Sequence, residues 1–223
     1  MIENQGRNFF DGCAEGTKRK ILEAALDEFA LHSPEGARSR TIAQKAGVNH
    51  AGLCYHFGSK DGIYLEIIKM AVDKFKADNS EFFKRTDDLF SQKKPSAEAA
   101  KDLVKDILLS QMSLIFNNPV AGKMFMIVRR EEMYPTAGYD LLYEGILNPL
   151  YSRLAKLVNI ARGGKLSCAE AGISANLLFG LVGCFLTIGE TVARMSSNTH
   201  FHAEKLVLSK KILSENLDKI FNS

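Results

Sequence analysis

The residues best suited to bind a charged partner are concentrated in one short segment of this chain, residues 36–60. Its 25 residues include four Lys/Arg and two His but no Asp or Glu. The remaining residues carry 25 basic and 26 acidic side chains, so the whole excess behind the formal net charge of +3 lies in this segment. Cationic side chains and imidazoles form ion pairs and hydrogen bonds with phosphate oxygens. The segment is therefore a candidate surface for a polyanion.

The small and apolar residues of this segment predict two short helices joined by a tight turn. The first helix would run from Ser39 or Arg40 to Ala46, and Gly47 permits the left-handed backbone that ends a helix sharply. Asn49 can cap a second helix over about 50–57. The side chains expected to face inward are Ile42, Ala43, Ala46, Val48, Leu53 and Phe57. This spacing predicts a helix-turn-helix.

The second helix of this pair would expose small and polar side chains on its outer side. Ala51 and Gly52 are small enough to let the helix lie deep in a DNA major groove, where base edges are read. Tyr55 and His56 can donate hydrogen bonds to phosphate oxygens, and the helix N-terminus favours an anion. A helix pair that merely packs is the alternative, but the cap, the turn glycine, the corner valine and the basic exterior coincide here. We therefore expect binding to double-stranded DNA.

The sequence Ile42-Ala-x-x-Ala-Gly-Val-Asn-x-x-x-Leu-x-Tyr-His-Phe-Gly-Ser-Lys60 resembles the N-terminal DNA-binding domain of the TetR family of bacterial repressors. The resemblance covers about residues 17–75. It implies phosphate contacts from Arg40, Asn49, Tyr55, His56 and Lys60, and an approach to the bases by His50, Ala51 and Gly52. It also implies that the helix opened by Lys60 connects the DNA-binding head to a ligand-binding domain.

Two positions depart from the pattern of that family. Cys54 stands where a second tyrosine is common, which removes or weakens one usual contact with the DNA backbone. Thr41 stands where an acidic residue is common just before Ile42, and Arg38 and Arg40 make the start of that helix more basic than usual.

The rest of the chain has helical periodicity and almost no strand signals. We expect an all-α fold of about nine helices, with a small three-helix N-terminal unit joined to a larger C-terminal bundle. After the first four, further helices are expected over about 96–117, 119–132, 136–161, 167–195 and 202–221. The expected organisation is an N-terminal extension (1–16), a helix-turn-helix DNA-binding domain (17–60) and a ligand-binding and dimerisation domain (61–223). The extension is either an arm that reaches DNA or a frayed tail.

The expected 167–195 helix is apolar around most of its circumference, with 17 uncharged residues over 173–189. That run falls short of the ~20 apolar residues that cross a bilayer, so we interpret it as a buried helix of a soluble, cytoplasmic protein with no membrane partner. A helix that is apolar all round must be covered on all sides. With the amphipathic last helix it predicts a homodimer, which suits a pseudo-palindromic DNA operator. Burial of both helices within one subunit is the alternative.

Residues 128–143, followed by Pro149, resemble the CerR-type C-terminal domain of one TetR subgroup. The family resemblance implies that this half of the chain binds a small-molecule effector. The candidate ligand-binding residues are Met112, Phe116, Met126, Arg129, Arg130, Tyr139, Tyr143 and Phe179. Plain core packing is the alternative for the apolar residues of this set, and a solvated charge run or a structural ion pair is the alternative for the arginines.

The sequence contains no Walker-type glycine loop, Rossmann fingerprint, His-Glu-x-x-His or Gly-x-Ser-x-Gly motif, so it indicates neither catalysis nor a cofactor. His200 and His202, with Cys168 elsewhere, are only a weak metal-binding pattern. The expected function is that of a bacterial homodimeric repressor released from DNA by a small molecule. Two alternatives stay open: a DNA-binding dimer controlled by a protein partner, and a helical enzyme with an ancestral head.

Overall fold

The computed structural model describes residues 9–10, 16–187, 189–196 and 201–222, and these residues form helices and no strand. The helices are α1 (Thr17–Leu31), α2 (Ser39–Ala46), α3 (His50–Phe57), α4 (Lys60–Asp78), α5 (Ser80–Phe90), α6 (Ala97–Asn117), α7 (Pro119–Met133), α8 (Tyr139–Leu142), α9 (Asn148–Ala161), α10 (Cys168–Thr187), α11 (Gly189–Ser196) and α12 (Phe201–Asn222). A π-helical segment, Tyr143–Leu147, lies between α8 and α9. The all-α class is confirmed.

The described helices divide the chain at more points than its apolar periodicity indicates. The expected 136–161 helix comprises α8, the π-helical segment and α9, and the expected 167–195 helix comprises α10 and α11. Helix α5 lies where no separate helix was expected. The π-helical segment keeps right-handed helical dihedrals at both ends, so the apolar pattern runs through it without a break.

The first compact unit comprises Met1–Asn79 and Pro119–Asn148. Within it, α1 packs against α2, α4 and α7. No side chain caps α1, which begins at Thr17 behind a left-handed Gly16 (φ 113°). The largest fully buried side chains of this unit are Ile21, Leu22, Leu26, Phe29, Ile42, Ile63, Ile67, Ile68, Ile127 and Leu142. They form one core beneath the helix-turn-helix.

The π-helical segment approaches α4 closely because it carries a glycine at the contact. A Cβ atom added to Gly145 would overlap the side chain of Val72. Real carbon atoms do not come that close without displacing one another, so a larger residue would push the segment away from α4. Gly145 therefore keeps this segment against the middle of α4.

The second compact unit comprises Ser80–Asn118 and Pro149–Ser223. Helix α6 packs against α5, α10 and α12. Arg153 of α9 donates to Thr86 Oγ1 and to Asp87 Oδ1 of α5, at 3.1 Å each. Lys105 of α6 forms an ion pair of 2.9 Å with Asp218 of α12. These contacts join α5 to α9 and α6 to α12.

The compact units follow a different division of the chain from the functional one expected over 17–60 and 61–223. Helices α4, α7 and α8 belong to the same unit as the helix-turn-helix, because their apolar faces share its core. The functional division concerns DNA and ligand binding and stays a prediction.

Helix α10 is apolar around most of its circumference but packs along one face only. Ala171, Ala175 and Val182 are buried, whereas Ile173 is 62% exposed and Leu177 is 68% exposed. Within the chain, α10 is therefore not the fully buried helix that the sequence predicts. Among the described residues, Cys168–Phe185 is the stretch long and apolar enough to cross a membrane, with a mean hydropathy of 1.5 and 28% of it buried. A single stretch of this kind is weak evidence for a membrane span.

Candidate nucleic-acid interface

The corner between α2 and α3 has the geometry that the sequence predicts. Gly47 ends α2 in the left-handed conformation, with φ 68°. The backbone N–H of Val48 then donates to the carbonyl oxygen of Ala43 at 3.0 Å. Asn49 caps α3, because its Oδ1 accepts from the backbone N–H of Gly52 at 2.8 Å. The predicted helix-turn-helix is confirmed in its turn, its cap and its helix boundaries.

The inner side of α3 rests on the core of the first compact unit. Leu53 is buried, and Phe57 and Val48 pack against the same core. The ammonium group of Lys18, on α1, lies 5.4 Å from the centre of the Phe57 ring. Such a contact adds an electrostatic attraction to the apolar packing. Helix α3 is thus fixed from beneath, and its opposite side faces outward.

The outer side of α2 and α3 presents most of the predicted DNA-binding residues to solvent. Tyr55 is 86% exposed, so its hydroxyl is accessible to a partner. Its ring lies 5.1 Å from that of His56 in an edge-to-face arrangement. The other exposed residues of this surface include Arg38, Arg40, Asn49, His50, Ala51 and Cys54, while Gly52 is half-buried. We call this set, from Arg38 to His56, the reading surface.

Lys60 has an anchoring role that the sequence analysis missed. Its ammonium group donates to the carbonyl oxygens of Glu35 and Ala37, at 3.2 and 2.9 Å. These bonds attach the start of α4 to the loop between α1 and α2. An ammonium group has three N–H donors, so one remains for a phosphate.

A second missed residue, Glu28, lies beneath the start of α2. Its buried carboxylate accepts from the backbone N–H of Arg38 and from the Lys45 ammonium group, at 3.4 Å each. A carboxylate near the first N–H groups of a helix interacts favourably with the helix dipole. The sequence did hold a signal for this role, because Glu28 falls on the same helical face as Ala25 and Phe29.

Helix α4, which supports α3, is held to α7 by a buried carboxylate. Glu131 of α7 is 1% exposed, and its Oε1 accepts a hydrogen bond of 2.6 Å from the hydroxyl of Tyr64 on α4. Glu131 also accepts from the backbone N–H of Thr136 at 2.9 Å and from the hydroxyl of Thr136. Burial, reinforced by the hydrogen bond to Glu131, holds the pKa of Tyr64 far above its ordinary value. We call this group of three residues the carboxylate latch.

The residue before Glu131 ties α7 to α1. The guanidinium of Arg130 donates to the carbonyl oxygens of Phe29 and His32 at 2.6 Å and of Ala30 at 2.9 Å. These oxygens end α1, where a cation is also favoured by the helix dipole. Arg129 forms an ion pair of 2.6 Å with Glu132. Arg129 thus forms an ion pair, as its structural alternative expects, whereas the hydrogen-bond partners of Arg130 are backbone carbonyl oxygens.

The structure distributes the eight candidate ligand-binding residues over both compact units. In the first unit, Tyr139 and Tyr143 stack with ring centres 6.0 Å apart, and Met126 is exposed. In the second unit, Met112 is fully buried, Phe179 contacts Tyr151, and the Lys205 ammonium group lies 4.9 Å from the ring centre of Phe116. The candidate ligand-binding residues therefore form two separate sets, one in each compact unit.

An open groove of about 510 Å³ lies in the first unit and contains none of those eight residues. It is lined by Phe10, Lys20, Glu23, Ala24, Leu26, Asp27, Lys45, Val120 and Lys123. In the weak metal-binding pattern, His200 and the side chain of His202 lie outside the described residues. Elsewhere in the described chain, no three His, Cys, Asp or Glu side chains come together as a metal site.

Comparisons with known proteins agree with this geometry. Residues 21–67 match the family described as "Bacterial regulatory proteins, tetR family", and residues 100–221 match "HTH-type transcriptional dual regulator CecR, C-terminal domain". The second match is the domain expected above as CerR-type, and its name is CecR. The CecR protein of Shigella flexneri is 27% identical over 206 residues, which are 92% of each chain.

Two solved structures share the fold. HlyIIR, a hemolysin II transcriptional regulator, has a TM-score of 0.53 at 17% identity, over 86% of this chain and 96% of its own. A transcriptional regulator from Saccharomonospora viridis, crystallised in complex with choline, has a TM-score of 0.54 at 18% identity, over 90% of this chain and 95% of its own. Both likenesses support an N-terminal head followed by a helical domain.

The carboxylate latch leads to a prediction with a defined pH dependence. The variant Tyr64→Phe should lower the free energy of unfolding at neutral pH by about 1.5–3 kcal/mol, because it removes a buried hydrogen bond to a charged group. The folded-state pKa of Tyr64 lies above its unfolded value of about 10, so its contribution is complete below pH 10 and declines as the pH rises further. Urea unfolding at pH 7, 9 and 11 measures both effects.

The control for this experiment is Tyr134→Phe, since Tyr134 is 70% exposed. The stability difference between wild type and Tyr64→Phe should shrink from pH 9 to pH 11, while Tyr134→Phe should follow wild type throughout. Equal stability of wild type and Tyr64→Phe at pH 7 would contradict the latch.

Proposed function

Because the chain belongs to the TetR family of DNA-binding transcriptional regulators, with a CecR-type C-terminal domain, we propose that it is a homodimeric regulator released from its operator by a small molecule. The observation that carries this proposal is the exposed, basic reading surface on α2 and α3. The family and its CecR relative are regulators of transcription and not enzymes. Such a protein acts on DNA in the bacterial cytoplasm.

In the proposed complex, α3 lies in the major groove with its first turn against the bases. His50, Ala51 and Gly52 approach base edges, because they occupy the outer side of that turn. Arg40, Tyr55 and His56 flank them and donate to phosphates, as does the remaining N–H of Lys60. Asn49 contributes its amide N–H groups, since its oxygen is already used as the helix cap.

The first test is the salt dependence of DNA binding. We expect wild type to bind a duplex selected from a random pool with an affinity that falls steeply as salt rises. Arg40→Ala should reduce the slope of log K against log salt by about one per protomer, as each lost phosphate contact does. Tyr55→Ala should weaken binding at least about tenfold, because a hydrogen bond to a charged phosphate is lost.

The matched control is Tyr134→Ala, which removes an equally large exposed tyrosine from outside the reading surface. It should bind the duplex as wild type does. Salt-insensitive binding, or equal losses for Tyr55→Ala and Tyr134→Ala, would refute the proposed interface.

The proposed dimer rests on two exposed apolar faces in the second compact unit. On α10, Ile173 and Leu177 lie one turn apart and are both largely exposed. On α12, Leu208 and Ile212 repeat the same spacing and are partly exposed. Association of these faces with those of a second copy would form a four-helix interface about a two-fold axis. Two reading surfaces could then contact half-sites about 34–36 Å apart.

The dimer is tested by placing a charge on the exposed face of α10. Wild type should sediment with twice the 24.7 kDa mass of the chain, and Leu177→Asp should sediment as a single chain. The reason is that association would bury an unpaired carboxylate. Leu31→Asp is the control, since Leu31 is 71% exposed but belongs to the first unit. Sedimentation equilibrium measures both. A monomeric wild type at micromolar concentration, or a dimeric Leu177→Asp, would rule out this interface.

Release by a small molecule has a thermodynamic requirement. An effector weakens operator binding only if it binds the DNA-free conformation more tightly than the DNA-bound one. A 100-fold loss of operator affinity needs a difference of about 2.7 kcal/mol between its two binding free energies. Two observations support an effector: the CecR-type domain spans more than half of the chain, and the S. viridis structure of the same fold holds choline. The candidate residues of each compact unit stay proposed ligand contacts of that unit.

The effector is tested by a thermal-shift screen of small apolar, cationic and anionic compounds, choline included. A true effector should raise the melting temperature and weaken operator binding in the same concentration range. Tyr143→Ala or Phe179→Ala should reduce its effect, whereas Tyr134→Ala should not. A broad screen without any such compound would favour the alternative, a DNA-binding dimer controlled by a protein partner.

A further inference from the structure

Two metal-ligating side chains lie side by side on the reading surface, and DNA reading does not require their proximity. Cys54 and His50 are four residues apart on α3, so they occupy the same face of one helical turn. Both are exposed, and Cys54 Sγ lies 3.7 Å from His50 Nδ1, a hydrogen-bonding contact that a bound ion would replace. A thiol and an imidazole nitrogen are the two side-chain groups that zinc prefers.

The separation of the two atoms matches a chelate. Zinc binds thiolate sulfur at about 2.3 Å and imidazole nitrogen at about 2.0–2.1 Å, in tetrahedral geometry. Those bond lengths and a tetrahedral angle require a sulfur–nitrogen separation of about 3.6 Å. The observed 3.7 Å therefore lets one ion contact both atoms without unwinding the helix.

We propose that Cys54 and His50 chelate a thiophilic divalent cation of the zinc type, and that the bound ion lowers the sequence specificity of DNA binding. On binding, the thiol releases its proton to solvent and its sulfur coordinates the ion, while the imidazole coordinates as the neutral ring. The metal site stands on geometry alone. Its effect on DNA rests on the proposed function.

The expected site is open and reversible. No third His, Cys, Asp or Glu completes it among the described residues, so water fills the other two positions. A site with two protein ligands and exchangeable water binds more weakly than a closed structural zinc site. Binding therefore follows the free concentration of the ion.

The effect on DNA follows from the position of His50. Coordination occupies Nδ1 of the His50 imidazole and places a hydrated ion where α3 approaches base edges. The ion also adds positive charge, which attracts phosphates irrespective of sequence. Specific operator binding should therefore weaken while non-specific binding does not, and this combination distinguishes a chelate on α3 from general inhibition by metal.

The metal site is tested on the reduced full-length protein without DNA. Co²⁺ should produce a sulfur-to-metal charge-transfer absorption in wild type, and Zn²⁺ should displace it. In wild type, this absorption should include a component that saturates at one ion per chain. Cys54→Ser and His50→Gln should each lose that component. Cys168→Ser, which changes another exposed cysteine, should keep it. Unchanged absorption in Cys54→Ser would overturn the site.

The effect on DNA is tested by measuring operator and random-duplex binding with Zn²⁺ or with EDTA. Zn²⁺ should weaken operator binding of wild type about tenfold or more and leave random-duplex binding unchanged or stronger. The affinity of Cys54→Ser for each duplex, whatever its value in EDTA, should not change when Zn²⁺ is added. A wild type unaffected by Zn²⁺ would overturn this inference, whereas a wild type that fails to bind DNA in EDTA would instead overturn the proposed function.

Discussion

The buried carboxylate of Glu131 is the interaction on which the arrangement of the first compact unit depends. A charge at this depth is tolerated only when hydrogen bonds replace its lost hydration, and Tyr64 and Thr136 supply them. The donors come from α4 and from the loop after α7, so satisfying the charge fixes both. Arg130, one residue earlier, attaches α7 to the end of α1. Because α3 rests on α1 and α4, the orientation of the reading surface depends on these contacts.

The basic charge excess and the apolar faces proposed for dimerisation lie in different parts of the chain. The segment 36–60, which contains the reading surface, carries the basic excess, while the apolar faces proposed for association lie on α10 and α12. A protein that is nearly neutral outside one basic face attracts DNA to that face and little elsewhere. The proposed dimer interface would need no charge complementarity, because burial of apolar area would drive the association. Binding and assembly can therefore be altered independently.

The parts of the fold that the sequence predicted are those set by local geometry. Gly47 and Asn49 determine the corner between α2 and α3 through contacts within a few residues, so their types alone predicted it. The contacts of Lys60 with Glu35 and Ala37, and of Tyr64 with Glu131, join residues 23 to 67 positions apart. No local pattern specifies such pairs, since they depend on how the helices pack. For that reason the sequence offered Arg130 as a ligand candidate without indicating its partners at the end of α1.

The central claim is that DNA covers the outer face of α3, and Cys54 reports on it directly. Alkylation of the reduced protein in EDTA, followed by mass spectrometry, gives the modification rate of Cys54 beside that of Cys168, an exposed thiol at the start of α10. The account predicts that saturating operator duplex slows alkylation of Cys54 about tenfold or more and leaves Cys168 unchanged. Equal rates for Cys54 with and without bound duplex would contradict it.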